Sequence, residues 1–111
     1  MRIYNRTQNR WVGEVKPAWS FFPRLKGLLF SQAGQKGLWL KPCSSVHTIG
    51  MKYALDILFL DPGLTVLKME LNVPPAKPLV SCVRSESVME FFTGKWDSSC
   101  VKAGDQLETR E

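Results

Sequence analysis

Histidine occurs once in the 111-residue chain, at His47, and cysteine three times, at Cys43, Cys82 and Cys100. An odd cysteine count without paired spacing argues against a disulfide framework and fits a reducing, cytoplasmic setting. Nowhere do eighteen apolar residues run uninterrupted, so no membrane span is expected. Arg2 and Arg6 mimic the charged head of a secretory signal, but no apolar stretch follows them; Glu14, Lys16 and Pro17 break the only candidate. Repeats, low-complexity tracts and linkers are missing too, which points to one continuous domain over residues 1–111.

Acidic residues are scarce at the start of the chain. The formal net charge is +5, but its distribution is uneven. Residues 1–41 hold eight bases against Glu14 alone, a balance of +7, whereas residues 42–111 hold seven bases and nine acids, a balance of −2. Arg2, Arg6 and Arg10, interleaved with Tyr4 and Trp11, could track a phosphate backbone and stack on bases. No recognised nucleic-acid motif accompanies them, so a solvated strand pair is the preferred reading and nucleic acid an unlikely partner.

What is present is a succession of short apolar runs cut by turn residues. Hydrophobic residues make up 44% of the chain, enough for one core at this length. Arg2–Tyr4 and Arg10–Lys16 read as a hairpin around Asn5–Asn9, ended by Pro17. Ser20, Pro23 and the spacing of Phe22, Leu25, Leu28 and Leu29 predict a first short helix. Gly37–Lys41 is an apolar strand closed by Pro42. Tyr53–Leu60 is nearly all apolar and stops at Asp61-Pro62-Gly63, which predicts the most buried strand, with Leu64–Leu71 returning antiparallel to it. Pro74, Pro75 and Pro78 force an extended or looped segment, and Leu79–Val83 follows as a strand. Ser87 with Glu90 fits a capping box, and Gly94 a stop, for a second short helix over Ser85–Phe92. A last strand pair is expected around Lys102–Asp105. The sum is a mostly β, α+β architecture: a small, predominantly antiparallel barrel or rolled sheet with two short helices.

Asp56 lies inside the apolar run, where either face of a strand surrounds it with apolar neighbours. A carboxylate so placed needs a partner: it either pins a neighbouring loop by hydrogen bonds or serves as a functional group. His47, nine residues earlier, could reach it if the chain bends near Gly50. Two further combinations use the same residues. Cys43, His47 and Met51 recur every four residues and would offer soft metal ligands on a helix, but Val46, Thr48 and Ile49 favour extended structure. Cys43, His47 and Asp56 are the right types for a nucleophile, base and orienting acid, the enzymatic alternative. No cofactor is expected.

Three ordered segments carry a resemblance. Arg24-Leu25-Lys26-Gly27-Leu28-Leu29, Pro42 through Met51, and Leu55 through Asp61 resemble domain-of-unknown-function family 192, a small family of bacteria and archaea. Asn72-Val73-Pro74-Pro75, Ser85 through Gly94 and Ala103-Gly104-Asp105 resemble its later segments in the same order. The resemblance implies a compact β-barrel-like fold with no established activity. Carried over by position, it marks Arg24, Gly27, His47, Thr48, Met51, Asp56 and Asp61. Leu55 stands where an isoleucine or a proline–isoleucine pair is usual, and Cys43 occurs in only some relatives, which weakens it as an obligatory nucleophile. Many relatives carry an export signal or lipid anchor that is not seen here. Arg24, His47, Thr48, Met51 and Asp56 are therefore the candidate ligand-binding residues, either a polar corner for a small polar or anionic ligand or a network that locks the barrel.

Overall fold

The structure, a computed structural model, describes residues 1–19 and 36–111. Among them nine strands form: β1 (Arg2–Asn5), β2 (Arg10–Trp19), β3 (Gly37–Lys41), β4 (Ser45–Val46), β5 (Leu55–Leu60), β6 (Val66–Val73), β7 (Val80–Ser81), β8 (Ser87–Phe92) and β9 (Leu107–Arg110). Seven of them make one sheet in the order β6-β5-β8-β3-β2-β1-β9, and β4 pairs with β7 in a separate ribbon. Every pairing is antiparallel except β2 with β3. The sheet curls until its two edge strands meet at one corner, where Thr65 bridges Gln106. It is a half-barrel, closed there and open along the rest of β6 and β9.

Alternation along the strands produces two apolar faces. One cluster draws on all seven strands, including Ile3, Val15, Trp39, Leu58, Met89 and Leu107, and fills the curl. The other lies on the opposite face, where Leu38, Leu40, Ile57, Phe59 and Val88 are covered by Val46 and, in part, by Val80 of the β4–β7 ribbon. β5 is buried along its whole length because both faces are covered. Each of its apolar side chains contributes about 1.5–3 kcal/mol by leaving water.

Three expectations are corrected. Ser85–Phe92 is not a helix: its core, Ser87–Phe92, is the strand β8, paired with β3 on one side and β5 on the other. The capping-box signal is local, and pairing on both edges, with Val88, Phe91 and Phe92 fitted to a pleated surface, overrides it. Pro17 does not end β2, which runs on to Trp19. Val15 exchanges both backbone hydrogen bonds with Met1, at 2.8 and 2.9 Å. Two residues later Pro17 presents its nitrogen to that same side, beyond the end of β1, where no donor is required. No strand precedes Lys102–Asp105; one turn of 3-10 helix, Ser98–Cys100, stands there, capped by Asp97, and β9 pairs with β1 instead. The first expected helix, begun at Ser20, lies outside the described residues. Among the described residues, no helix is long and apolar enough to cross a membrane.

Candidate functional site

Asp56 sits at a β-bulge. Leu55 faces Val73 and Ile57 faces Glu70, so Asp56 alone opposes the two residues Leu71 and Asn72. The bulge turns the Asn72 amide away from the ladder, and Oδ1 of Asp56 accepts it at 2.8 Å. The same oxygen accepts the Thr93 hydroxyl at 2.7 Å, and Oδ2 accepts the Trp96 indole N–H at 2.7 Å. Thr93 directly continues β8, its amide donating to the Ala54 carbonyl at 3.1 Å, and the tight turn at Gly94, φ +84°, brings Trp96 back to Asp56. Trp96 is stacked on Phe91 with centroids 4.1 Å apart. The carboxylate, 3% exposed, is thus held by three donors, none of them from His47.

Thr48 makes a second knot. Its side chain donates to the Pro74 carbonyl at 2.7 Å and accepts the Lys77 amide at 2.8 Å. Its own amide donates to the Lys77 carbonyl, and its carbonyl accepts the amides of Ala76 and Met51. Between them Asp56 and Thr48 grip one segment, 72–77, at both ends. That segment needs gripping, since Asn72 at φ 54° and Ala76 at φ 68° both adopt the left-handed region. It forms one wall of a groove of about 410 Å³ between β6 and β7, with Lys68, Glu70, Lys77 and Leu79 along its sides.

The remaining expected residues separate. Met51 and Cys43 are half-buried against the outer apolar cluster, and the Cys43 thiol donates to the Ser45 carbonyl at 3.1 Å. Asp56 alternates with Ile57 and so belongs to the opposite face of β5, with Leu58 and Leu60. His47 is half-buried beside Val46, where the chain leaves β4. Cys43, His47 and Met51 fall on a short strand and loop, so their four-residue intervals do not stack. Asp61 closes the β5–β6 turn by accepting the Thr65 amide at 2.8 Å. Arg24 and Gly27 lie outside the described residues.

The family model described as "Uncharacterized ACR", domain-of-unknown-function family 192, matches residues 3–109. The chain belongs to this family. It is 27% identical over 112 residues to a UPF0127 protein of Pyrococcus horikoshii, covering 96% of each chain. A crystal structure of a Novosphingobium aromaticivorans protein of unknown function superposes with a TM-score of 0.74 at 19% identity, covering 97% of this chain and 82% of that one. A Sinorhizobium meliloti protein described provisionally as a transcription regulator superposes with a TM-score of 0.75 at 21% identity, covering 96% and 89%. These two likenesses establish the fold and nothing further.

Two polar features of this family member escape a reading of sequence. Glu90 is completely buried on β8 between Leu38 and Ile57, on the face of Val88 and Phe92. A helical reading of Ser85–Phe92 hides it, whereas period-two alternation would have exposed a carboxylate flanked by apolar neighbours. Asp105 is a second hub. Its Oδ2 accepts from Asn5 Nδ2 at 2.8 Å, Gln8 Nε2 at 2.6 Å and the Lys102 amide at 2.9 Å. Burial alone would push this carboxyl up; the donors from Asn5, Lys102 and Gln8 outweigh it and hold it below its ordinary range. Asn5 Oδ1 in turn accepts the amides of Thr7 and Gln8, tying the first hairpin to the C-terminal turn.

Two arginines of the N-terminal hairpin and its one acid make solvent-exposed ion pairs. Arg6 pairs with Glu108, Arg10 with Asp97 and Lys36 with Glu14, each at 3.2 Å. Arg110 lies 3.6 Å over Tyr4 and Arg2 4.8 Å over Trp11, while Tyr4 meets Trp11 edge-on. Each ring thus carries one of the protein's own cations over it.

Proposed function

We propose that this protein is a non-catalytic binding module and that the groove between β6 and β7 is its site for a small polar or anionic ligand. One observation carries the reading. Thr48 and Asp56, two of the residues singled out from the sequence, both hold the groove-wall segment 72–77, Thr48 by four hydrogen bonds to Pro74, Ala76 and Lys77 and Asp56 by one to Asn72. They act as positioning residues, and the ligand is met by Lys68, Lys77 and the wall's backbone. Holding two left-handed residues in place costs about 1–3 kcal/mol each, which is sensible where a rigid surface must be pre-shaped. Lys77 makes no ion pair among the described residues and is the cation available to an incoming anion.

The enzymatic alternative, Cys43, His47 and Asp56 acting together, is less well supported, because the Asp56 carboxylate is committed to Asn72, Thr93 and Trp96. The test is an amide NMR titration with inorganic phosphate and with succinate. Shifts confined to residues 68–81, weakened by Thr48→Val at unchanged fold, support the groove; shifts elsewhere, or none with either anion, refute it.

A further inference from the structure

Resting on the reading of the groove as a site for an anionic group, we infer that this group is an acidic side chain carried by an extended peptide segment of mixed acidic and apolar character, added as an extra strand to β6. β6 is eight residues long and stands at the edge of the sheet. Its inner side pairs with β5. Among the described residues, only Val66 is engaged on its outer side: its amide donates to the Asp105 carbonyl and its carbonyl accepts the Gly104 amide, at 2.9 and 2.7 Å. From Leu67 to Leu71 no described backbone group takes the outer edge, and an open edge of this length is a template for another strand. The groove lies beside the C-terminal half of that strand, lined by Lys68, Glu70 and residues 71–74 on one side and by Leu79 and the two residues of β7 on the other.

The chemistry of the occupant follows from what lines the space. Leu71 and Leu79 are 50% and 65% exposed at its margins, which offers contacts to apolar side chains. Lys68 donates to the Ser81 carbonyl across the groove at 3.1 Å and pairs with Glu70 at 3.0 Å, whereas Lys77 is left for an acidic side chain. An extended chain presents side chains alternately to two sides, so acidic and apolar positions in alternation would meet Lys77 and the leucines. The 72–77 wall is fixed by Thr48 and Asp56, so little ordering is left to be done on binding. A volume of about 410 Å³ lies within the usual range of ligand sites.

The experiment uses three probes on the full chain: an acetylated, amidated hexapeptide of alternating glutamate and valine, the same peptide N-methylated at alternate residues, and inorganic phosphate. The plain peptide is expected to shift the amides of residues 68–81 and to slow hydrogen exchange between Leu67 and Leu71 by about tenfold or more. N-methylation, which removes ladder donors, should weaken binding about tenfold, and so should Lys77→Glu, with its thermal melt unchanged. Equal binding of the N-methylated peptide, or phosphate reproducing the full response, would overturn strand addition while leaving the groove a small-anion site. No response to any probe would overturn both readings. Protection of β6 that appears on concentrating the protein alone would make a second copy the occupant and overturn the peptide.

Discussion

Replacing Asp56 by asparagine keeps the size and one acceptor oxygen of the side chain and reverses the polarity of the other end. With Oδ1 left facing the Asn72 amide and the Thr93 hydroxyl, the new NH2 group points at the Trp96 indole N–H, 2.7 Å from the present Oδ2. Two donors then confront each other in a site 3% exposed. A hydrogen bond to a charged group contributes about 1.5–3 kcal/mol, and a buried donor stripped of its acceptor costs about 1–3 kcal/mol. Flipping the amide does not help, because it moves the conflict to Asn72 and Thr93. The expected loss is about 2–3 kcal/mol, or roughly 8–12 °C in Tm for a chain of this size. Differential scanning calorimetry of Asp56→Asn, Trp96→Phe and the double variant measures it. In the double variant the conflict with the indole is gone, so the two losses should fall short of additivity by about 1 kcal/mol or more. A Tm within 2 °C of the parent for Asp56→Asn, or strict additivity, would show that the carboxylate does not hold this corner together.

Two further perturbations test the sheet away from the groove. Because the folded state holds the Asp105 carboxyl below its unfolded value of about 3.9, its stabilisation is fully present above that pH and is lost as pH falls through the folded value; Asp105→Asn should therefore flatten the acid limb of a stability–pH curve measured by urea unfolding, and an unchanged slope below about pH 4 would refute the assignment. Gly37→Ala should cost about 1–3 kcal/mol in the same assay, since a Cβ there would lie 2.6 Å from the Phe91 ring and 2.8 Å from the Glu90 carbonyl, and backbone of a central strand cannot easily give way; an unaffected midpoint would mean that β3 and β8 are not so closely apposed.

Much of the strand plan was legible because it rests on local signals. Asp61-Pro62-Gly63 is a turn in almost any context, and the apolar run before it lacks the polar stripe that a surface helix or half-exposed strand would show, so the buried β5 and its return strand could be read directly. β8 was not legible in this way. Ser87 and Glu90 have the spacing of a capping box, and only the pairing of Glu90 with Leu38 and Ile57, residues far away in sequence, makes the segment a strand. β2 shows the same limit: whether Pro17 breaks a strand depends on whether its nitrogen faces a neighbour, and that is decided by where β1 begins.

The site follows the same division between local and distant information. That a carboxylate within an apolar strand needs donors follows from electrostatics alone, and Asp56 could be singled out on that ground. Its donors could not, because Asn72 is released by a bulge, Thr93 is placed by the pairing of β8 with β5, Trp96 is returned by a glycine turn, and each lies 16 to 40 residues away. Thr48 was marked only by family pattern, and its five hydrogen bonds to 51 and 74–77 explain why that position takes a small residue with both a donor and an acceptor. The two residues come from different layers, one within β5 and one in the loop after β4, and converge on the same short wall. The Asp56 carboxylate is held by the Asn72 amide, the Thr93 hydroxyl and the Trp96 indole. In the proposed reading the binding chemistry lies on the surface that Asp56 and Thr48 support, the cations and backbone edge beside residues 72–77.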